Sequence, residues 1–261
     1  MKYFLECNNK KYSNIDLIDT FLKLGIKKGD ILCVHTELFN FGIPLLPKNE
    51  FLQTILDSFF EVIGKEGTLI MPTFTYSFCK NEIYDKLNSK TKVGVLNEFF
   101  RKQEGVKRTN DPIFSFAIKG AKKDLFLHKE QKSCFDESCI YNILKNNNGK
   151  IVLLGTQLLG YTFTHFIEEQ ARVPYRYFKP FKGDIVCENN NKKTCNINYY
   201  VRDLQKKSEI SILKQIALLK NSNNFKLEKI GNAEIVSINC RSYFDETMEA
   251  LKQDPYSLLK D

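Results

Sequence analysis

Asp30-Ile31-Leu32-Cys33-Val34-His35-Thr36-Glu37 opens with a compact apolar run and then turns abruptly polar. A run this short and this uniformly apolar reads as a strand buried on both faces. The same figure returns in Thr68-Leu69-Ile70-Met71-Pro72, followed by Thr73-Phe74-Thr75-Tyr76, and again in Lys150-Ile151-Val152-Leu153-Leu154-Gly155. Helical spacing fills the intervals. Ser13 caps a predicted helix to about Leu24, with Leu17, Ile18, Phe21 and Leu22 on one face and Gly25 at its end. Phe51, Ile55, Leu56, Phe59 and Phe60 predict a second helix, residues 94–103 a third, and Thr162–Gln170 another; Ile113–Ile118 reads as a further strand. Apolar strands alternating with amphipathic helices predict an α/β fold with a mainly parallel central sheet flanked by helices. Sheets of that kind bind ligands beyond the carboxyl ends of their strands, where the polar clusters of this chain fall.

The pattern changes after about residue 180. Predicted strands at 183–188 and 194–201 flank the polar stretch Asn189–Lys193, a helix follows at 208–219, and Gly231-Asn232 joins a second strand pair. The tail returns to helical spacing from about residue 243. Residues 1–180 are therefore read as the α/β region carrying the site. Residues 181–261 form a mixed α/β C-terminal portion, either a subdomain or part of the same domain.

The 261 residues are 43% hydrophobic and 27% charged, a composition that excludes collagen-like, low-complexity and disordered chains. Lys and Arg total 39 against 31 Asp and Glu, and the resulting +8 attracts anions such as nucleic acid or phosphorylated small molecules. The basic residues are spread along the chain without a nucleic-acid-binding motif, so no nucleic-acid partner is expected. No secretory h-region and no stretch long enough to span a bilayer occurs, which predicts a cytoplasmic protein without membrane insertion. The eight cysteines contain no CxxC pair and no zinc spacing. Reduced thiols and no metal are expected. GxGxxG, Walker, GxSxG and HExxH patterns are missing.

The histidines are His35, His128 and His165. His128 lies in a charged, surface-like setting. His165 and Glu168 are three residues apart, which on a helix puts imidazole and carboxylate on one face. A carboxylate beside an imidazole fixes its tautomer and raises its basicity, as a general base requires. The segments Gly67–Tyr76 and Arg108–Ser115 are rich in hydroxyls, which suit phosphate and amide groups at strand ends.

Taken in order, Val34-His-Thr-Glu-Leu38, Gly64-Lys-Glu-Gly-Thr-Leu-Ile-Met-Pro-Thr-Phe-Thr75, Gly94-x-Leu96, Arg108-Thr-Asn-Asp-Pro-Ile-Phe-Ser115, Leu153-Leu-Gly155 and Thr162-x-x-His165-x-x-Glu168 resemble the aminoglycoside 3-N-acetyltransferase family. The resemblance covers roughly residues 12–180. It implies an acetyl-CoA-dependent N-acetyltransferase, with residues 1–180 binding CoA and carrying catalysis. His165 matches the family's catalytic histidine, Glu168 its carboxylate partner, and Thr162 the threonine before it. By the same resemblance His35, Thr36, Thr73, Thr75, Arg108, Thr109 and Ser115 hold the cofactor. Glu37, Tyr76, Asp111, Arg172 and Arg176 are candidate acceptor contacts, with Lys179 and Lys182 nearby. Cys79 is the one cysteine kept as a candidate nucleophile.

Two departures bear on the acceptor. Antibiotic-modifying members commonly read Arg-Ser-x-His-Pro, where this chain has Arg108-Thr-Asn-Asp111-Pro112. A polycationic antibiotic also calls for an acidic cleft, whereas this chain carries +8. The expected acceptor is accordingly the primary amine of a nucleotide-linked amino sugar. An aminoglycoside antibiotic is the alternative, and a non-catalytic CoA- or nucleic-acid-binding protein the second. Homo-oligomer formation is left open.

Overall fold

The apolar runs become adjacent strands. The computed structural model describes residues 1–127 and 130–261; His128 lies outside the described residues. The chain begins β1 (Tyr3–Cys7), β2 (Lys10–Ser13), α1 (Asn14–Lys23), β3 (Ile31–Thr36), β4 (Ile43–Pro44), α2 (Lys48–Ile63) and β5 (Thr68–Pro72). It continues β6 (Tyr84–Asp85), α3 (Val95–Phe100), β7 (Lys107–Arg108), β8 (Phe116–Gly120), α4 (Ile140–Asn146), β9 (Lys150–Gly155) and α5 (Thr162–Ala171). It closes β10 (Arg176–Val186), β11 (Lys192–Arg202), α6 (Ile212–Asn221), β12 (Lys226–Ile230), β13 (Ala233–Asn239) and α7 (Cys240–Gln253).

The central sheet has seven strands in the order β12-β13-β9-β3-β5-β8-β7. The three apolar runs, β9, β3 and β5, pair in parallel at its middle. The α/β class stands, and the sheet is mixed, because the pairs on either side of that centre are antiparallel. β12 and β13 turn at Gly231-Asn232, and a tight hairpin can only pair antiparallel.

Alternation along each strand divides the core in two. Ile31, Cys33, Ile70, Ile151 and Leu153 face one side, packed with Tyr141 and Leu144 of α4, Phe163, Phe166 and Ile167 of α5, Ile216 of α6 and Tyr243 of α7. Leu32, Val34, Leu69, Met71, Val152 and Leu154 face the other, against Leu17 and Phe21 of α1, Ile55 and Phe59 of α2, and Leu96 and Phe100 of α3. Helices on both faces are why the strands are apolar throughout. Ser13 caps α1 as expected, its hydroxyl accepting from the Asp16 N–H while Asp16 accepts from the Ser13 N–H at 2.6 Å.

The β10–β11 hairpin is longer than the sequence predicts, pairing Arg176 with Arg202 and Val186 with Lys192, and β6 adds alongside β10. Lys179, Pro180 and Lys182 mask its first half as a strand, and these residues are exposed. Its position matters for the site, since β10 starts five residues after α5 ends and returns Arg176 to that helix.

Candidate active site

A cavity of about 740 Å³ opens beyond the carboxyl ends of β3, β5 and β9, walled by α2, α3 and the start of α5. Of the residues expected at a site, His35, Thr36, Glu37, Tyr76 and Thr162 line it. Two glycines let the chain close around its polar end. At Gly94 (φ +67°) a Cβ would lie 2.6 Å from Thr36 Oγ1, and at Gly160 (φ +94°) 2.7 Å from His35 Cβ. Burial pushes His35 down to about 4, so this imidazole is neutral near pH 7. Its Nε2 lies 3.5 Å from the hydroxyl of buried Tyr141. Asn97 of α3, also buried, accepts from the Thr36 hydroxyl and donates to the Pro72 carbonyl at 2.7 Å, tying β3 to β5. Leu38, Leu46, Phe51, Leu52, Phe74 and Leu154 make the rest of the wall largely apolar. Among the described residues, Glu37 and Lys48 are its charged members, and Glu37 is held by the Phe39 N–H at 2.6 Å.

Thr162 begins α5 at the cavity, and His165 stands one turn further along the same face. His165 Nδ1 is 2.7 Å from Glu168 Oε2. Arg176 Nη2 is 2.9 Å from the same oxygen and 3.0 Å from Nδ1, while Nη1 donates to the Tyr200 carbonyl at 3.1 Å. The Glu168 and Arg176 side chains are each 1% exposed, against 30% for His165. Burial raises the Glu168 carboxyl, but the His165 hydrogen bond and the Arg176 charge outweigh it and leave the group below its ordinary value. An ionised Glu168 only accepts and the Arg176 guanidinium only donates, so the two compete for Nδ1; with the ring proton directed at the shorter contact, to Glu168, the Nε2 lone pair is free. That is the equipment for taking a proton from a nucleophile.

The remaining candidates fall elsewhere. From the last residue of β5 onward, Pro72, Phe74 and Tyr76 line the cavity while Thr73 and Thr75 point away, an alternation of period two. Arg108 is buried and fully engaged: its Nε donates to Thr73 Oγ1 at 3.0 Å and Ser115 Oγ at 3.2 Å, Nη1 to the Ser89 carbonyl at 2.6 Å, and Nη2 to the Thr73 carbonyl at 2.6 Å. Thr75 donates to the Pro112 carbonyl at 2.9 Å, and Thr109 accepts from the Phe116 N–H at 3.0 Å. Thr73, Thr75, Arg108, Thr109 and Ser115 do not line this cavity; they bond to one another and to nearby backbone. Arg176, expected as an acceptor contact, is corrected to a buried partner of Glu168. Arg172 is exposed but stacked on Phe178, its guanidinium carbon 4.6 Å from the ring centre.

Asp111 is buried, and its Oδ1 accepts from the Ile113 and Phe114 N–H groups at 2.8 Å each. Its side chain fixes the turn into β8 and does not line the main cavity. Burial raises it to about 6 from 3.8. The native chain therefore holds a proton that the unfolded chain has released. The resulting stability is fully present below 3.8 and is lost as the pH rises through about 6. Asp111→Asn should flatten the stability profile between those values by about 1.4 kcal/mol per pH unit, read from urea unfolding at a series of pH values. All eight cysteines are free. Burial and the charge of Asp111 push the Cys79 thiol up, which makes it a poor nucleophile.

An α/β fold with a carboxylate-braced imidazole one turn from a strand-end cavity carries the equipment for general-base catalysis. Comparison with known proteins makes the class specific. A family model described as aminoglycoside 3-N-acetyltransferase matches residues 33–252. The chain belongs to the aminoglycoside 3-N-acetyltransferase family and is an acyltransferase with acetyl-CoA as its cosubstrate. A curated relative, the SPbeta prophage-derived aminoglycoside N(3')-acetyltransferase-like protein YokD of Bacillus subtilis (strain 168), is 22% identical, covering 93% of this chain and 92% of the relative. Among solved structures, the aminoglycoside acetyltransferase AAC(3)-IVa apoenzyme is 22% identical, with 100% of this chain and 93% of that chain covered and a TM-score of 0.76. AAC-IIIb in a binary complex with CoASH is 19% identical, with 93% and 97% covered and a TM-score of 0.78. A mutant AAC(3)-IVa in complex with a gentamicin is 20% identical, with 100% and 93% covered and a TM-score of 0.79. Among the described residues no helix is long and apolar enough to cross a membrane.

Proposed function

We propose that this protein transfers the acetyl group of acetyl-CoA to an amine of an aminoglycoside by direct attack, with His165 as general base. The observation that carries the reading is the buried Glu168 carboxylate 2.7 Å from His165 Nδ1, which leaves Nε2 free to accept a proton. The cavity suits the cosubstrate, with hydroxyl and amide groups of Thr36, Asn97 and Thr162 and an apolar wall that matches a pantetheine arm. Acetyl-CoA supplies an activated thioester. In this scheme His165 Nε2 takes the proton of the attacking amine, and Glu168 stabilises the imidazolium. The Thr162 hydroxyl donates to the charge developing on the thioester oxygen. As the C–N bond forms and the C–S bond breaks, His165 returns its proton to the departing CoA thiolate. No cysteine nucleophile is needed.

The acceptor reading moves from a nucleotide-linked amino sugar to an aminoglycoside for two reasons. The arginines that favoured a phosphorylated acceptor are occupied, Arg176 by Glu168 and Arg172 by Phe178. The cavity also balances Glu37 against Lys48, so the +8 of the chain does not concentrate there to repel a cation. Relatives of the same fold support the choice, having been solved with gentamicin, sisomicin or apramycin bound. Cytoplasmic residence belongs to the same reading, since the cysteines are unpaired. The test is CoA thiol release against a panel of gentamicin, sisomicin, apramycin and nucleotide-linked amino sugars. Turnover with at least one aminoglycoside and none with the nucleotide sugars is expected; the reverse pattern overturns the assignment.

A further inference from the structure

Arg176 has no assigned part in the reaction, yet it is the cation in contact with the His165–Glu168 pair. Its guanidinium shares one carboxylate oxygen, Glu168 Oε2, with His165 Nδ1, at 2.9 and 2.7 Å respectively. We infer that Arg176 is a positioning residue: by donating to Glu168 Oε2 it fixes the carboxylate that orients the His165 ring through Nδ1. The inference rests on the reading of His165 as the general base.

The electrostatic reason follows from the geometry. A buried carboxylate alone beside an imidazole would favour the imidazolium, and an imidazolium cannot accept the amine's proton. A guanidinium 3.0 Å from Nδ1 opposes that second positive charge. Arg176 is fixed for the purpose, side chain 1% exposed, with Nη1 donating to the Tyr200 carbonyl at 3.1 Å. Among the described residues, tyrosines, Glu169 and Arg172 surround the pair. Burial raises Tyr175, Tyr199, Tyr200 and Tyr243 above their ordinary values, so these hydroxyls stay protonated. Burial likewise raises Glu169, to about 7, and its carboxyl accepts from Ser133. Arg172 stacks on Phe178.

The experiment is the pH dependence of kcat/KM for Arg176→Met and Arg176→Lys, together with ¹⁵N NMR of the His165 imidazole, assigned by its loss in His165→Ala. In Arg176→Met the acid limb should move up by about 1 pH unit or more. Turnover near pH 7 should fall about threefold or more and recover towards pH 9, with KM for acetyl-CoA within about threefold. Arg176→Lys keeps the charge and should leave the limb in place. In the parent protein at pH 7.5 the ring should carry its single proton on Nδ1. A folded Arg176→Met with an unmoved acid limb overturns the inference, as does a doubly protonated His165 ring in the parent, a reading available even where Arg176→Met does not fold. Because the ring is read in the free enzyme, a neutral Nδ1–H form alongside an active His165→Ala would defeat the general-base reading and leave the Arg176 geometry standing.

Discussion

His165→Ala should lower kcat by about 10²–10⁴-fold while leaving the KM for acetyl-CoA within a few-fold. The magnitude follows from what is removed, among the described residues the one imidazole held with its Nδ1 on a carboxylate and its Nε2 free. The selectivity follows from position. His165 lies one turn past the cavity, whereas Thr36, Asn97, Phe51 and Thr162 line it. The cosubstrate should therefore bind to an intact wall while proton transfer fails. Adding an external base such as imidazole should restore part of the rate in the variant. His35 does not substitute: burial holds it at about 4, and at that value it is a poor proton acceptor at neutral pH.

Glu168→Ala carries the second large effect, and it falls on stability as well as on rate. Removing the carboxylate leaves Arg176, 1% exposed, with a buried charge and no counter-ion. Breaking one partner of a buried pair is destabilising by about 3–5 kcal/mol. Urea unfolding at pH 7 should report a loss of that size, and the double variant Glu168→Ala/Arg176→Met should regain part of it, because both charges are then absent. The parent protein should also depend on pH through this group. Glu168 is held below its ordinary 4.5, so its contribution is present above that value and lost as the pH falls through the lower native one.

Much of this arrangement is legible in the sequence. The apolar runs at residues 31–34, 68–72 and 150–155 identified the parallel centre because both faces of those strands are covered by helices, leaving no polar alternation to confuse the reading. The His165–Glu168 pair was legible because helical spacing alone brings it together. Contacts made by the returning chain were not. Arg176 meets Glu168 only because α5 ends at Arg172 in the left-handed region (φ 55°) and the hairpin starts back beside it. Within a basic run, Arg176 is indistinguishable from the exposed Lys179 and Lys182. Tyr141 and Asn97 reach the cavity end from α4 and α3, far away in sequence from His35 and Thr36. Which hydroxyls face the cavity is not legible either, since strand alternation gives it to Phe74 and Tyr76 and turns Thr73 and Thr75 inward.

The most direct test is to incubate the purified protein and its His165→Ala variant with acetyl-CoA and gentamicin, following free thiol and the mass of the antibiotic together. The account predicts one acetyl group on the antibiotic for each CoA released by the parent protein, and neither product above background with the variant. Thiol release without an acetylated amine, or equal acetylation by the variant, would contradict it.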